Sequence, residues 1–181
     1  MSLKESTKLT PQLFTKYLFP FASDCQKETG ISALAILAQA ALESGWNSKS
    51  PGWMFFGIKD TDGVNGNEQL ITTTEYSRKN NLTPKEVGLV SIIKVEPVLI
   101  RGQKFFKYTG KDYFRKYNSP KESFVDHANF FIKNKRYTKA LTVKSDPYKF
   151  IDEIALAGYA TDPNYATTLK SIVKKIANFV V

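Results

Sequence analysis

Residues 31–44 read ISALAILAQAALES, and this stretch decides how the rest of the chain is interpreted. It is apolar on nearly every side, rich in alanine and leucine, and too short to span a bilayer. Such a pattern is typical of a helix buried at the centre of a domain. Gly45 follows it as a natural C-terminal stop. We therefore expect a central buried helix with the other elements packed around it.

Helix signals lie on both sides of the middle of the chain. Residues 10–29 predict a helix, with Pro11 at a permitted first-turn position and Pro20 indicating a bend or break. Three N-cap signatures that contain proline predict further helices in the last third of the sequence: Ser119-Pro120-Lys121-Glu122, Asp146-Pro147 and Asp162-Pro163.

The segment from Asn47 to about Tyr117 has a different character. Glycine and aspartate cluster in residues 60–66, and LITTTEY at 70–76 has the β-branched content of a strand. Thr83-Pro84-Lys85-Glu86 has the pattern of a capping box and predicts a helix start. This part of the chain is therefore expected to contain β-structure.

Two stretches complete this middle region. Residues 103–117, QKFFKYTGKDYFRKY, predict an aromatic strand or hairpin, whereas VGLVSIIKVEPVLI at 87–100 fits either a helix or a strand. Helical halves that flank a small β-containing insert predict an α+β fold with a substrate cleft between two lobes. Because no repeat or long linker divides the chain, we expect residues 1–181 to form a single domain.

Composition limits the classes of function. The formal charge of +9 favours an anionic partner, which could be nucleic acid, a membrane surface or an acidic polysaccharide. One cysteine, Cys25, and one histidine, His127, provide no disulfide and no set of metal ligands, so we expect neither a metal nor a cofactor. These two residues could form a nucleophilic pair, but Cys25 has the pattern of a small buried helix residue.

Neither a membrane span nor a secretory signal is visible in the sequence, and the route of export stays open. No apolar run reaches the length of a membrane span, so we expect no stable membrane insertion. The N-terminal residues MSLKESTKLTPQLF lack the apolar core of a secretory signal.

Glu43 and Gln39 interrupt the apolar pattern of the central helix. A carboxylate at the end of such a helix is costly to desolvate unless it is used or paired. Apolar neighbours and the negative end of the helix dipole should both raise its pKa, which suits a general acid for glycosidic cleavage. The alternative is that Glu43 turns outward as the helix reaches the surface.

The segment LAQAALESGWNSKSPGWMFFGIKD, residues 37–60, resembles the signature of glycoside hydrolase family 73. These bacterial N-acetylglucosaminidases include the peptidoglycan-hydrolysing domain of the flagellar rod protein and several autolysins. Their pattern is a helix that ends in Ala-x-x-Glu-Ser-x-Trp, followed by an aromatic-Gly-Ile-Lys stretch. The matching residues here are Ala40, Glu43, Ser44, Trp46 and Phe56-Gly57-Ile58-Lys59.

Three further blocks of the family match in order, so that the resemblance covers roughly residues 31–170. They are residues 73–76 (TTEY), 123–127 (SFVDH) and 157–166 (AGYATDPNYA). The likeness implies a lysozyme-like α+β fold and cleavage of the β-1,4 bond between N-acetylglucosamine and N-acetylmuramic acid.

The resemblance also implies roles for individual residues. Glu43 corresponds to the catalytic acid, and Glu75 to an acidic residue of the β-lobe that acts as a base or stabilises the oxocarbenium-like transition state. Among the aromatic residues it favours Tyr159 as a substrate-binding residue, followed by Tyr165 and Trp46. Sugar rings stack on such aromatic faces.

Three alternatives remain at this point. A lytic transglycosylase or a muramidase could use the same fold and acid, and a non-catalytic wall-binding module could keep the aromatic residues. Glu43 argues against the module, and Glu75 together with Phe56-Gly57-Ile58-Lys59 favours the hydrolase. The insert at about residues 77–102 has no counterpart in the family pattern and leaves the geometry of Glu75 open.

The expected partner is therefore the glycan strand of peptidoglycan, met outside the cytoplasm in the periplasm, the cell wall or the medium. We expect a monomer. Nucleic acid is not expected, because the sequence contains no recognition motif and its lysines are scattered rather than massed into one arm.

Overall fold

The central helix predicted from the sequence is α2, Ala33–Ser44. In the computed structural model, which describes residues 9–47 and 50–180, every residue from Ala33 to Ala41 except Leu34 is buried. The helix ends at Gly45, whose left-handed backbone (φ 60°) lets its N–H donate to the carbonyl of Leu42. The predicted position and stop of this helix are confirmed.

The described residues form two compact units. The helical unit contains the residues before Gly57 and those from Tyr117 onward, and the β unit is Gly57–Lys116. The helical unit comprises α1 Pro11–Thr29, α2, α4 Pro120–Lys133, α5 Thr138–Leu141, α6 Pro147–Leu156 and α7 Tyr165–Ala177, with short 3-10 turns at Pro51–Trp53 and Lys135–Tyr137. Within this unit α2 packs against α1, α6 and α7.

The core of the helical unit is built from aliphatic and aromatic side chains on all of its longer helices. Fully buried examples are Phe14 and Leu18 of α1, Ile36 of α2, Phe124 and Phe131 of α4, Phe150 of α6, and Leu169 and Val173 of α7. Burial of each such side chain contributes roughly 1.5–3 kcal/mol relative to exposure. These contacts make α2 the best enclosed element of the unit.

The β unit is a three-stranded antiparallel sheet in the order β1-β3-β2. Its elements are β1 Glu68–Ser77, α3 Pro84–Val87, β2 Ser91–Ile100 and β3 Gln103–Arg115. The segment 87–100, for which the sequence left helix and strand open, is a strand from Ser91 onward. The α+β class is confirmed.

Tyr108 and Gly110 of β3 fix the turn region before β2. Tyr108 is fully buried, and its hydroxyl donates to the carbonyl of Lys79 (2.9 Å) and accepts from the N–H of Leu82 (3.2 Å). Gly110 has no room for a side chain, because a Cβ there would lie 2.1 Å from the carbonyl oxygen of Ser91. The insert at about residues 77–102 therefore consists of a turn, the short helix α3 and strand β2, which forms a hairpin with β3. The predicted capping box of α3 is present.

Several boundaries differ from the sequence interpretation. Helix α1 continues through Pro20 without a break. The last helix begins at Tyr165 rather than at Asp162-Pro163, because the Asp162 carboxylate accepts the Asn164 N–H and forms a turn first. Within the described ranges, no helix combines the length and apolar character that crossing a bilayer requires.

Candidate active site

Glu43 lies in the last turn of α2, one helical turn after Gln39 and on the same face of the helix. The residue is exposed, so it does turn outward where the helix reaches the surface. Burial nevertheless raises the pKa of its carboxyl, because the protein shields one side of the group from water. Glu43 therefore combines access for a substrate with a preference for the protonated form.

Tyr159 lies in the helical unit, close enough to Glu43 for that charge to affect its pKa. Burial raises the pKa of its hydroxyl, and the nearby Tyr165 and Glu43 raise it further. Its ring is half-buried and packs against the rings of Phe131 (centroids 5.4 Å apart) and Tyr165 (5.5 Å). Gly158, with φ 76°, makes the turn after α6 that places Tyr159 there. The residue is a protonated phenol with part of its surface open.

Tyr165 and Trp46 have less freedom than the sequence interpretation assumed. Tyr165 is only 6% exposed, which leaves no ring face for stacking on a sugar. Trp46 is half-buried, and its ring packs edge-on against Phe14 with centroids 5.4 Å apart. Its backbone is also fixed, since its N–H donates to Ala41 and its carbonyl accepts from Leu9. Both residues belong mainly to the support of the site.

A buried polar network under α2 was missed by sequence reasoning. His127 Nε2 and Gln39 Oε1 are 3.2 Å apart, and Gln39 Nε2 donates to the Tyr165 hydroxyl at 3.0 Å. The His127 ring stacks on Phe56 with centroids 3.7 Å apart, and burial lowers its pKa to about 3. The neutral imidazole must therefore donate from Nε2 to the amide oxygen. The spacing of Gln39 to Glu43 was the one available signal for this network.

Burial of both Cys25 and His127 excludes nucleophilic catalysis by this pair. Cys25 is fully buried, and burial raises the pKa of its thiol to about 11. Its Sγ lies 3.9 Å from the hydroxyl of Thr29 within α1. Neither a thiolate nor a basic imidazole is available for nucleophilic catalysis.

Glu75 of β1 is held by Lys59 within the β unit. Lys59 Nζ lies 3.0 Å from Glu75 Oε1 and 2.8 Å from Asp112 Oδ2, and it donates to the carbonyl of Gly88 at 2.7 Å. Burial lowers the pKa of Lys59, but its hydrogen bonds with Asp112 and Glu75 outweigh this and raise it overall. Lys59 is part of the aromatic-Gly-Ile-Lys stretch, but that motif alone does not predict its contact with Glu75.

The loop that precedes β1 is tied to its own side chains. Asp62 accepts the Val64 N–H (2.8 Å) and the Asn67 amide (3.1 Å), and it lies 3.3 Å from Arg115. Over residues 9–47 and 50–180, no three His, Cys, Asp or Glu side chains gather as a metal site requires.

Residues 19–178 match the model of the glucosaminidase family, described as mannosyl-glycoprotein endo-β-N-acetylglucosaminidase. The chain is 30% identical over 173 residues to the peptidoglycan hydrolase FlgJ of Vibrio parahaemolyticus and 29% identical over 173 residues to that of Pseudomonas aeruginosa. These matches cover 92% of this chain but only 48% and 37% of the two relatives. The chain thus spans less than half the length of these curated relatives.

Solved structures match over nearly the whole chain. A C-terminally truncated glycoside hydrolase domain of Salmonella typhimurium FlgJ has a TM-score of 0.66 at 29% identity, with 93% of this chain and 99% of that one covered. The catalytic domain of the autolysin Auto from Listeria monocytogenes has a TM-score of 0.62 over 97% and 90% of the two chains. At 22% identity, the second likeness concerns the fold alone.

Proposed function

The chain belongs to the glucosaminidase family, glycoside hydrolase family 73, and we propose that it hydrolyses the β-1,4 bond between N-acetylglucosamine and N-acetylmuramic acid in peptidoglycan. The single observation that carries this proposal is Glu43, an accessible carboxyl of raised pKa at the end of the buried helix. The FlgJ relatives are named as peptidoglycan hydrolases, which supports the choice of polymer.

Glu43 acts as the general acid. Cleavage of a glycosidic bond requires a proton on the leaving oxygen, and a carboxyl with a raised pKa keeps its proton to higher pH than an ordinary glutamate. Gln39 lies on the same face of α2, and its side-chain amide is hydrogen-bonded to His127 and Tyr165. These hydrogen bonds hold the C-terminal part of α2 in place. This anchoring fixes the helical turn from which Glu43 projects.

Glu75 supplies the second carboxylate, as a base or as a stabiliser of positive charge in the transition state. Its contact with Lys59 supports this role, because a carboxylate that is fixed through one oxygen has a defined orientation. Asp112 shares the same lysine and limits the movement of the ammonium group.

Tyr159 binds the substrate: its ring is half-buried rather than enclosed, and it lies close enough to Glu43 for that charge to raise its pKa. Trp46 contributes through the exposed part of its ring, and Tyr165 through its hydroxyl, which fixes Gln39. Residues 1–181 work as one monomeric glucosaminidase domain outside the cytoplasm, where peptidoglycan is found, without a metal or cofactor.

The test is a zymogram on purified peptidoglycan, followed by borohydride reduction and mass spectrometry of the fragments. Hydrolysis at the proposed bond leaves reducible N-acetylglucosamine ends, which appear as glucosaminitol. Anhydromuramic ends would indicate a lytic transglycosylase, and reducible muramic ends a muramidase; either result would overturn the proposed bond. Binding without any cleavage would indicate a non-catalytic module.

A further inference from the structure

The β sheet has a second face that the proposed catalysis does not use. Side chains of a strand alternate between faces, and the register sets Glu75 opposite the buried Tyr108 on one of them. We call the other one the open face. Its strand positions are Glu68, Leu70, Thr72, Thr74 and Tyr76 of β1, Gln103, Phe105, Lys107, Thr109, Lys111, Tyr113 and Arg115 of β3, and Ser91, Lys94, Glu96, Val98 and Ile100 of β2.

Large side chains of the open face remain in contact with solvent. Tyr76 is 53% exposed, Leu70 45% and Tyr113 42%, although each lies in a paired strand. They form cross-strand pairs, Leu70 with Tyr113 and Tyr76 with Lys107. From residue 70 to residue 76 the face extends roughly 20 Å, at about 3.3 Å per residue. Two tyrosines are thus presented on a surface long enough for an extended polymer.

The open face is also basic. Lys94, Lys107 and Lys111 all lie on it, brought together by the register although they are separated in sequence. Its strand positions include two carboxylates: Glu96, which pairs with Lys94 at 2.7 Å, and Glu68 at the start of β1, which accepts the Gly66 N–H. Among the residues that the structure describes, neither Lys107 nor Lys111 forms an ion pair. Lys107 lies opposite Glu96, which it shares with Lys94, whereas Lys111 lies opposite Thr72 and Ser91. Positive charge therefore remains on this face for a ligand.

This combination selects a ligand class. Aromatic side chains provide apolar surfaces for sugar rings, while ammonium groups attract carboxylates or phosphates. We propose that the open face is a second binding surface for peptidoglycan, with Tyr76 and Tyr113 contacting sugars and Lys107 and Lys111 pairing with the carboxylates of the stem peptides. The choice of peptidoglycan rests on the proposed function. A second contact of this kind raises the effective concentration of the polymer at the enzyme.

Binding is tested in the Glu43→Gln background, so that no substrate is consumed. Lys107→Gln/Lys111→Gln is compared with Lys174→Gln/Lys175→Gln, which removes two exposed lysines of α7. Co-sedimentation with purified peptidoglycan should give a Kd about fivefold or more higher for the open-face variant, since two surface ion pairs contribute about 1 kcal/mol or more together. The α7 variant should bind like the parent, and both should keep the parent's melting temperature.

Two treated polymers identify the anion. Blocking the carboxylates by amidation should remove the difference between parent and open-face variant, whereas stripping attached phosphate polymers with hydrofluoric acid should leave it unchanged. The proposal is overturned if the two lysine variants bind alike, or if phosphate removal rather than amidation abolishes the difference. Because no turnover is measured, this outcome is independent of whether Glu43 and Glu75 perform the proposed hydrolysis.

Discussion

Lys59 binds the carboxylate of Glu75 at 3.0 Å, across 16 positions of sequence. The same ammonium group holds Asp112, so that one cation separates two carboxylates that would otherwise repel each other. The Lys59–Glu75 ion pair is partly exposed, so it adds little to the free energy of unfolding. Its main effect is to orient the Glu75 carboxylate. Any role of Glu75 in catalysis therefore depends on Lys59.

Lys59→Met should lower kcat by about 10- to 100-fold with a smaller change in KM, because a misplaced catalytic group can lose about that factor. Glu75→Gln should lower it at least as much. Lys27→Met, which breaks the exposed pair with Asp24, is the matched control and should be silent. Steady-state kinetics and the pH profile on soluble glycan fragments provide the measurement. If Lys59→Met and Glu75→Gln both retained parental kcat, the second role would pass to another acid such as Glu68 or Asp62.

Glu43→Gln should reduce lytic activity by about 10²–10⁴-fold, the usual contribution of general acid catalysis, without loss of folding. In the parent, activity should fall as pH rises through the raised pKa of Glu43, because the acid must carry its proton. Turbidity clearance against pH measures both effects, with Glu28→Gln on α1 as a control carboxylate. A Glu43→Gln protein that clears peptidoglycan within threefold of the parent would refute the assignment.

His127 should make the protein less stable in mild acid. Its folded pKa of about 3 lies below the ordinary value of 6.5, so the unfolded chain binds a proton that the folded chain does not. Stability is therefore retained above about pH 6.5 and lost as pH falls, by about 2 kcal/mol between pH 6.5 and 5. Urea unfolding of the parent and of His127→Gln at both pH values isolates this contribution. Equal pH dependence in the two proteins would show that His127 binds its proton as readily in the folded as in the unfolded state, which would contradict the lowered pKa.

Exhaustive chelation should leave full activity, since carboxylic acids cleave glycosidic bonds without a metal. In the loop before β1, the Asp62 carboxylate is held by the Asn67 amide and by Arg115. The assay compares turnover and melting temperature before and after treatment with a chelator. Activity lost on chelation and restored by zinc or calcium would contradict the prediction.

Local signals in the sequence predicted the helices well, because capping and periodicity act over a few residues. α2, its stop at Gly45 and the capping box at Thr83 follow from such short-range rules. The segment of β2 could not be assigned, because its apolar run suits a helix or a strand. It is a strand because it pairs with β3. Such pairing lies beyond the range of periodicity.

The candidate site divides in the same way. Its place at the end of an apolar helix draws attention to Glu43, but that pattern alone leaves the outward-turning alternative open, and the family resemblance supplies the predicted role of acid. The partners that fix the site could not be identified from the sequence, since Gln39 meets His127 across 88 residues and Tyr165 across 126. Contacts over such distances arise only when the helices pack. The burial of Tyr165, which removes it as a stacking surface, is a result of that same packing.

The buried position of Cys25 determines how the folded protein responds to oxidants. The Cys25 side chain, on α1, is fully buried in the core. Because burial raises the pKa of its thiol to about 11, almost none of the group is thiolate at neutral pH. Oxidation and disulfide exchange both proceed through an accessible thiolate. The folded chain is therefore protected against sulfenic acid formation and against covalent dimerisation through this residue. Such chemistry would report local opening of α1, which makes the reactivity of Cys25 a probe of how often that helix unfolds.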